Sequence, residues 1–297
     1  MINRFLDPQI LAGIANLELT ARTVVEGFIS GLHRSPHFGF SQEFAEFRPY
    51  VPGDDLRYVD WNVYARTERL YLKKYQGETN TRVTVLLDAS ASMDFKTKGL
   101  RKIDYARFLA ASMAYLAHQQ RDAVGLITFD ERVREFIEPS SRQGQWIKVL
   151  HGLNRSEPAR RARTEFAEPF RHFQQYLNKR GLVLVVSDFL APASEALDAI
   201  KPLAQRGSDV VLMHVLDPEE LDPVLDDARI LIDMETGEEM EVSPEFAAQE
   251  YPKRIRAHIE ALRQGAQASR ISYHLAVSSE PLDAALRRYL AVRQGRL

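Results

Sequence analysis

The chain has 297 residues, no cysteine, and 39 basic against 41 acidic side chains, a formal charge of −2. Without cysteine there are no disulfides, thiolate zinc sites, iron–sulfur clusters or Cys nucleophiles, so a metal must be held by oxygen or by the eight His. The near balance of charge excludes the broad basic surface of a general nucleic-acid binder, and no apolar run approaches the ~18 residues that span a bilayer. Residues 1–11 carry an acid, Asp7, and no sustained apolar core, so they do not read as a signal peptide. A cytoplasmic protein with no direct membrane insertion is the expectation.

Residues 7–29 carry a helical apolar stripe (Ile10, Ile14, Leu17, Ala21, Val24, Phe28), opened by Asp7-Pro8 and closed by Ser30-Gly31. From Phe44 to Tyr75 the chain is rich in aromatic and β-favouring residues broken by Pro49, Pro52 and Gly53, which predicts short strands and turns. Then come strand-like segments at 83–87, 122–129, 133–137, 182–186, 210–215 and 271–277, with 83–87 a continuous apolar run and 122–129 and 182–186 reading as buried likewise. Runs apolar on both sides predict strands buried on both faces, and so a parallel sheet. Helical patterns lie between or after them at 102–119, 143–153, 166–178, 193–205, 246–268 and 282–293, and residues 230–242 read as a hairpin. This alternation predicts an α/β fold: a doubly wound, mostly parallel sheet flanked by helices over 81–297, preceded by a small helix plus β-rich lobe over 1–80. Charge is segregated, with eleven acids against Arg229 alone in 219–245, and nine Lys/Arg against three acids in 252–297. Such runs are ordinarily solvated faces, with a docking surface as the alternative.

Ligands of doubly wound sheets sit outside the carboxyl ends of the strands. Two predicted strand ends carry unusual side chains, Asp88-x-Ser90-x-Ser92 and Ser187-Asp188. A carboxylate and two hydroxyls at alternate positions of a turn can converge on one point, and all are hard oxygen donors suited to Mg²⁺, Mn²⁺ or Ca²⁺. A bland alternative is that Ser90 or Ser92 merely caps the next turn. The segments T-V-L-L-D-A-S-A-S-M, D-A-V-G-L-I-T-F, the loop around Thr164 and L-V-L-V-V-S-D-F resemble the von Willebrand factor A (VWA) domain. The resemblance implies a metal-ion-dependent adhesion site, with one divalent cation, most simply Mg²⁺, on Asp88, Ser90, Ser92, Thr164 and Asp188. Thr128 is the competing threonine, but it falls inside a strand. The eight His are scattered without metal-site spacing, and nucleophile-elbow, dinucleotide and phosphate-loop patterns are absent.

The stretch R-P-Y-V-P-G-D-D-L-R-Y-V-D-W resembles the signature that the bacterial domain of unknown function 58 family places before a VWA domain. It contributes Arg48, Gly53, Asp54, Asp55, Arg57, Asp60 and Trp61, read as an internal ion-pair lattice or a docking lobe. Many relatives carry membrane helices ahead of this point, and this chain resembles a subgroup without them. The family resemblance implies a protein-binding adaptor or co-factor of a MoxR-type AAA+ ATPase, capturing a partner Asp or Glu through the cation and serving assembly or maturation of client proteins. The expectation is not an enzyme. The competing reading is a metal-dependent hydrolase on the same cation, with Asp94, Asp130 or Glu165 as base and the basic loop Arg155, Arg160, Arg161 and Arg163 for an anionic substrate.

Overall fold

Apolar periodicity sets the order of elements. The computed structural model describes residues 16–32, 46–50, 59, 61–74, 81–97, 99–158, 165–177, 179–282 and 284–286. Helix α1 (Leu17–Leu32) is followed by β1 (Glu46–Pro49), α2 (Trp61–Thr67) and β2 (Tyr71–Lys74). Next come β3 (Arg82–Asp88), a single 3₁₀ turn (Ala91–Asp94), α3 (Lys102–Gln119), β4 (Ala123–Phe129), β5 (Val133–Ser140), α4 (Gln145–Arg155) and α5 (Ala167–Tyr176). The remainder is β6 (Leu182–Ser187), α6 (Ala193–Gln205), β7 (Asp209–Leu216), α7 (Pro218–Leu221), β8 (Arg229–Ile232), β9 (Glu239–Val242), α8 (Pro244–Gln249), α9 (Tyr251–Ala268) and β10 (Ser272–Val277).

Six strands form one sheet in the order β10-β7-β6-β3-β4-β5. All neighbours are parallel except the β4–β5 edge pair. The expected doubly wound, mostly parallel α/β sheet is therefore present. Successive strand residues face opposite sides. Leu86, Ile127, Phe129, Val183, Val185, Val210 and Leu212 meet Phe166, Phe170 and Phe173, and the apolar faces of α6 and α9, in one core. Phe129 sits edge-on to Phe166, Phe170 and Phe173, with ring centres 5.6–6.0 Å apart. α3 packs on β3 and beside α4, and is buried almost all round.

The chain divides into two compact units, residues 29–80 and residues 1–28 with 81–297. A boundary at residue 80 puts the whole first helix with the lobe, whereas Leu17–Phe28 belongs with the sheet. Leu17, Ala21, Val24 and Val25 are buried, and the Arg22 guanidinium lies 5.9 Å from the Tyr115 ring centre of α3. In the 29–80 unit β1 and β2 pair antiparallel. Trp61–Thr67 is a helix where short strands and turns are expected. Its aromatic residues serve either conformation, and a short apolar run cannot decide between them; Trp61 and Tyr64, three residues apart, meet edge-on at 6.0 Å.

The helix expected over 246–268 is two helices. Pro252, in the first turn of α9, has no N–H to give and crowds the preceding turn, so the helix restarts there. Ser243 caps α8 by accepting the Phe246 N–H at 3.3 Å. The expected hairpin forms from β8 and β9, leaving Ile230, Ile232 and Met240 exposed. Residues 282 and 284–286 are helical, and the rest of the expected last helix lies outside the described residues. Among the described residues no helix is long and apolar enough to cross a membrane.

Gly125 on β4 marks the closest approach of the sheet edge. A Cβ there would fall 2.6 Å from the Ile137 carbonyl oxygen and 2.7 Å from the Pro139 nitrogen, both backbone of β5. Gly152 on α4 would meet the ends of the Leu126, Ile137 and Glu135 side chains and no backbone among its nearest neighbours. Gly125→Ala is expected to destabilise the fold by about 1–3 kcal/mol by overpacking. Gly152→Ala is expected to cost less, because those side chains can turn and alanine favours the helix by about 1 kcal/mol. Urea unfolding of the two variants side by side checks the order.

Candidate functional site

β3 lies mid-sheet. The chain first passes from it to β4 and β5 on one side, then returns to β6, β7 and β10 on the other. The β3/β6 junction is thus the switch point, and in doubly wound sheets the crevice for a ligand lies outside the carboxyl ends of the strands at that point. Asp88 ends β3, and Asp188 follows the last residue of β6. Both carboxylates are fully buried.

Local hydrogen bonds shape the first turn. Asp88 Oδ1 accepts the Ser90 N–H at 2.9 Å, bending the chain out of the strand. Its Oδ2 accepts from Ser187 Oγ at 2.6 Å, which ties β3 to β6. The Ser187 hydroxyl also accepts the Phe189 N–H at 2.9 Å. Phe189 takes a positive φ of 47°, and its carbonyl accepts from His258 Nε2 at 2.8 Å. Ser90 Oγ and Ser92 Oγ lie 3.1 Å apart, both buried. The structure thus gathers Asp88, Ser90, Ser92 and Ser187 into one bonded cluster, with Asp188 beside it. Thr164 lies outside the described residues, as do Gly53, Asp54, Asp55, Arg57 and Asp60. Arg48 stands in β1 opposite Leu72, and Trp61 is exposed at the start of α2. Thr128 is buried within β4, as its place in a strand demanded.

Three residues of the site carried no readable signal or only part of one. Lys102, the first residue of α3, is fully buried and donates to Asp188 Oδ2 at 2.7 Å and to Glu220 Oε1 at 2.6 Å. Glu220 belongs to a capping box with Asp217 at the start of α7, a pattern visible in Asp217-Pro-Glu-Glu220. Its pairing with a lysine 118 positions away was not visible. Ser187 was visible as a strand-end neighbour of Asp188, not as a partner of Asp88.

Burial, and then the neighbouring Asp188 charge, pushes the Asp88 carboxyl up from 3.8 to about 7. Burial alone would lower Lys102, but the charges of Asp188 and Glu220 override it and hold the ammonium above the ordinary lysine value. Burial drives His214, on β7, down to about 3. Asp188 Oδ1 is buried with no hydrogen-bond partner among the described residues. Leaving such an acceptor unpaired costs about 1–3 kcal/mol, which a cation in the crevice would relieve. The donors are hard oxygens, as Mg²⁺ or Ca²⁺ requires. Among the described residues no cluster of three or more His, Asp or Glu is placed to hold a metal, so a cation here depends on hydroxyls as much as on carboxylates.

The surrounding acids are largely engaged. Asp94 accepts from Arg101 at 2.8 Å, and Asp130 pairs with Arg134 at 3.3 Å. Glu165 is exposed. Arg155 pairs with Glu135, while Arg160, Arg161 and Arg163 lie outside the described residues.

An acid whose pKa is raised on folding stabilises the fold below its unfolded value, and that stability is lost as pH rises through the folded value. For Asp88 this window runs from 3.8 to about 7. In chelator, Asp88→Asn is therefore expected to be more stable than the parent by up to about 4 kcal/mol above pH 7, with the gap closing toward pH 4. Denaturant midpoints across that range check it; a gap independent of pH refutes it.

Two uncharacterized proteins, from Mycobacterium tuberculosis and Mycobacterium bovis, are each 29% identical over 233 residues, 78% of this chain and 73% of theirs. Among solved structures, the conserved hypothetical protein BatB from Bacteroides thetaiotaomicron superposes with a TM-score of 0.50 at 18% identity, over 71% of this chain and 97% of that one. The SpRpn10 VWA domain gives a weaker likeness, TM-score 0.41 at 11% identity, over 70% and 95%. The BatB likeness bears on the fold alone. Residues 46–264, well over half of the sequence, match the family described as "Protein of unknown function DUF58", and the chain belongs to that family.

Proposed function

We propose that Asp88, Ser90, Ser92, Thr164 and Asp188 hold a divalent cation, Mg²⁺ or in its place Mn²⁺ or Ca²⁺, and that the cation binds an Asp or Glu of a partner protein. The observation that carries this reading is the buried Asp188 Oδ1, without a donor among the described residues, beside Asp88 at the switch point. When bound, the cation would supply an electrophilic position for a carboxylate. Asp88 and Asp188 bring negative charge, the serines neutral oxygens, and Lys102 already offsets part of Asp188's charge. A cation so held keeps positive charge for an incoming acid. Two of the three acids that a hydrolytic reading would use as base, Asp94 and Asp130, are held by arginines, which supports binding over turnover, while the third, Glu165, is exposed.

The partner in this reading is a MoxR-type AAA+ ATPase or a client protein presented to it, with this chain as a cytoplasmic adaptor in client assembly or maturation. The family resemblance of the R-P-Y-V-P-G-D-D-L-R-Y-V-D-W stretch supports that partnership. A direct nucleic-acid role has no support in the charge balance.

Saturating Mg²⁺ is expected to raise the melting temperature of the protein, since a ligand at 100 times its Kd stabilises by about 2.7 kcal/mol. Asp88→Ala is expected to fold, to lose that response and to lose Mg²⁺-dependent capture of the ATPase. Capture by Asp88→Ala in excess chelator at the parent's level defeats the proposal.

A further inference from the structure

We infer that Lys102 competes with the cation for Asp188, and that Glu220 is the seat that takes its ammonium when Asp188 turns to the metal. This rests on the cation reading above and assigns the residues that set the affinity of that site. Lys102 is fully buried, and Nζ lies within hydrogen-bond distance of one oxygen of each carboxylate, 2.7 Å from Asp188 and 2.6 Å from Glu220. Asp188 is thereby divided. One oxygen faces the ammonium, and the other is buried without a partner among the described residues. A cation engaging the free oxygen would place a second positive charge on the same carboxylate.

Glu220 is built to receive the charge. Its other oxygen accepts the Asp217 N–H at 2.8 Å, which aims Oε1 at Lys102. Asp217 is itself fixed, accepting from the Glu219 N–H at 3.0 Å and from both the N–H and the hydroxyl of Thr97. Thr97 lies in the segment joining the serine turn to α3. The lysine thus sits between a rigid acid on α7 and a strand-end acid that the metal needs. Its charge weakens cation binding until a partner carboxylate adds the compensating negative charge, so metal and partner bind cooperatively.

Mg²⁺ titration calorimetry on the full chain tests this with Lys102→Met and Glu220→Gln, both checked for folding by circular dichroism. Removing the ammonium is expected to tighten Mg²⁺ about tenfold, and removing the Glu220 charge to weaken it about threefold or more. A purely structural ion pair would leave both variants unchanged or weaken both. That outcome, with the parent still binding Mg²⁺, overturns the competition and leaves the cation site standing. Binding by Lys102→Met where the parent shows none supports it. Binding by neither overturns both readings. Should Lys102→Met not fold, Lys102→Gln, which removes the charge and keeps a donor, takes its place: tighter Mg²⁺ binding supports the inference, and equal or weaker binding overturns it.

Discussion

The arrangement of this protein turns on two carboxylates, Asp88 and Asp188, buried side by side at the ends of adjacent parallel strands. Burying like charges is costly unless hydrogen bonds and a counter-charge compensate. Every nearby feature serves that compensation. Ser90 and Ser187 donate to Asp88, Lys102 donates to Asp188, and Glu220 holds the far side of the ammonium. Among the described residues the compensation is incomplete at one carboxylate oxygen, Asp188 Oδ1. The functional reading starts from that atom.

The cost is carried by a stiff frame. Phe189, directly after Asp188, holds a left-handed backbone that side chains other than glycine seldom adopt. Ser187 and His258 fix its two backbone polar groups, and its ring stacks on Phe166 at 5.6 Å. The same phenylalanine cluster that covers one face of the sheet therefore sets the direction in which β6 delivers its acid. On the other face α3 delivers Lys102 from its first residue, and its nearly complete burial keeps that ammonium out of water. Core packing and site electrostatics are here one problem, since the side chains that shape the crevice are continuous with those that stabilise the fold.

Asp88→Asn and Lys102→Met would probe the two charges from opposite sides. One removes a negative charge that burial disfavours, the other a positive charge that offsets two buried carboxylates. A buried ion pair specifies geometry more than it adds stability, and breaking it by removing one partner is the expensive change. The site therefore resists loss of Lys102 more than loss of the Asp88 charge, although Asp88 is the residue that the sequence points to first.

The sequence by itself determined the class of fold and the two strand ends. Largely apolar runs from Val83, Ala123, Leu182 and Val210 fix buried parallel strands, and Asp-x-Ser-x-Ser and Ser-Asp stand directly after two of them. That information is local, carried by periodicity and by neighbours in the chain. Periodicity was less decisive where local signals conflict, as in the helix at Trp61–Thr67 and the break at Glu250 between α8 and α9. The partnerships across the fold were decided only by tertiary structure. Ser187 reaches Asp88 across 99 positions, Lys102 reaches Asp188 across 86, and Glu220 lies 118 beyond Lys102. No spacing rule links such residues, because what brings them together is the strand order around the switch point and the angle at which α3 and α7 meet it.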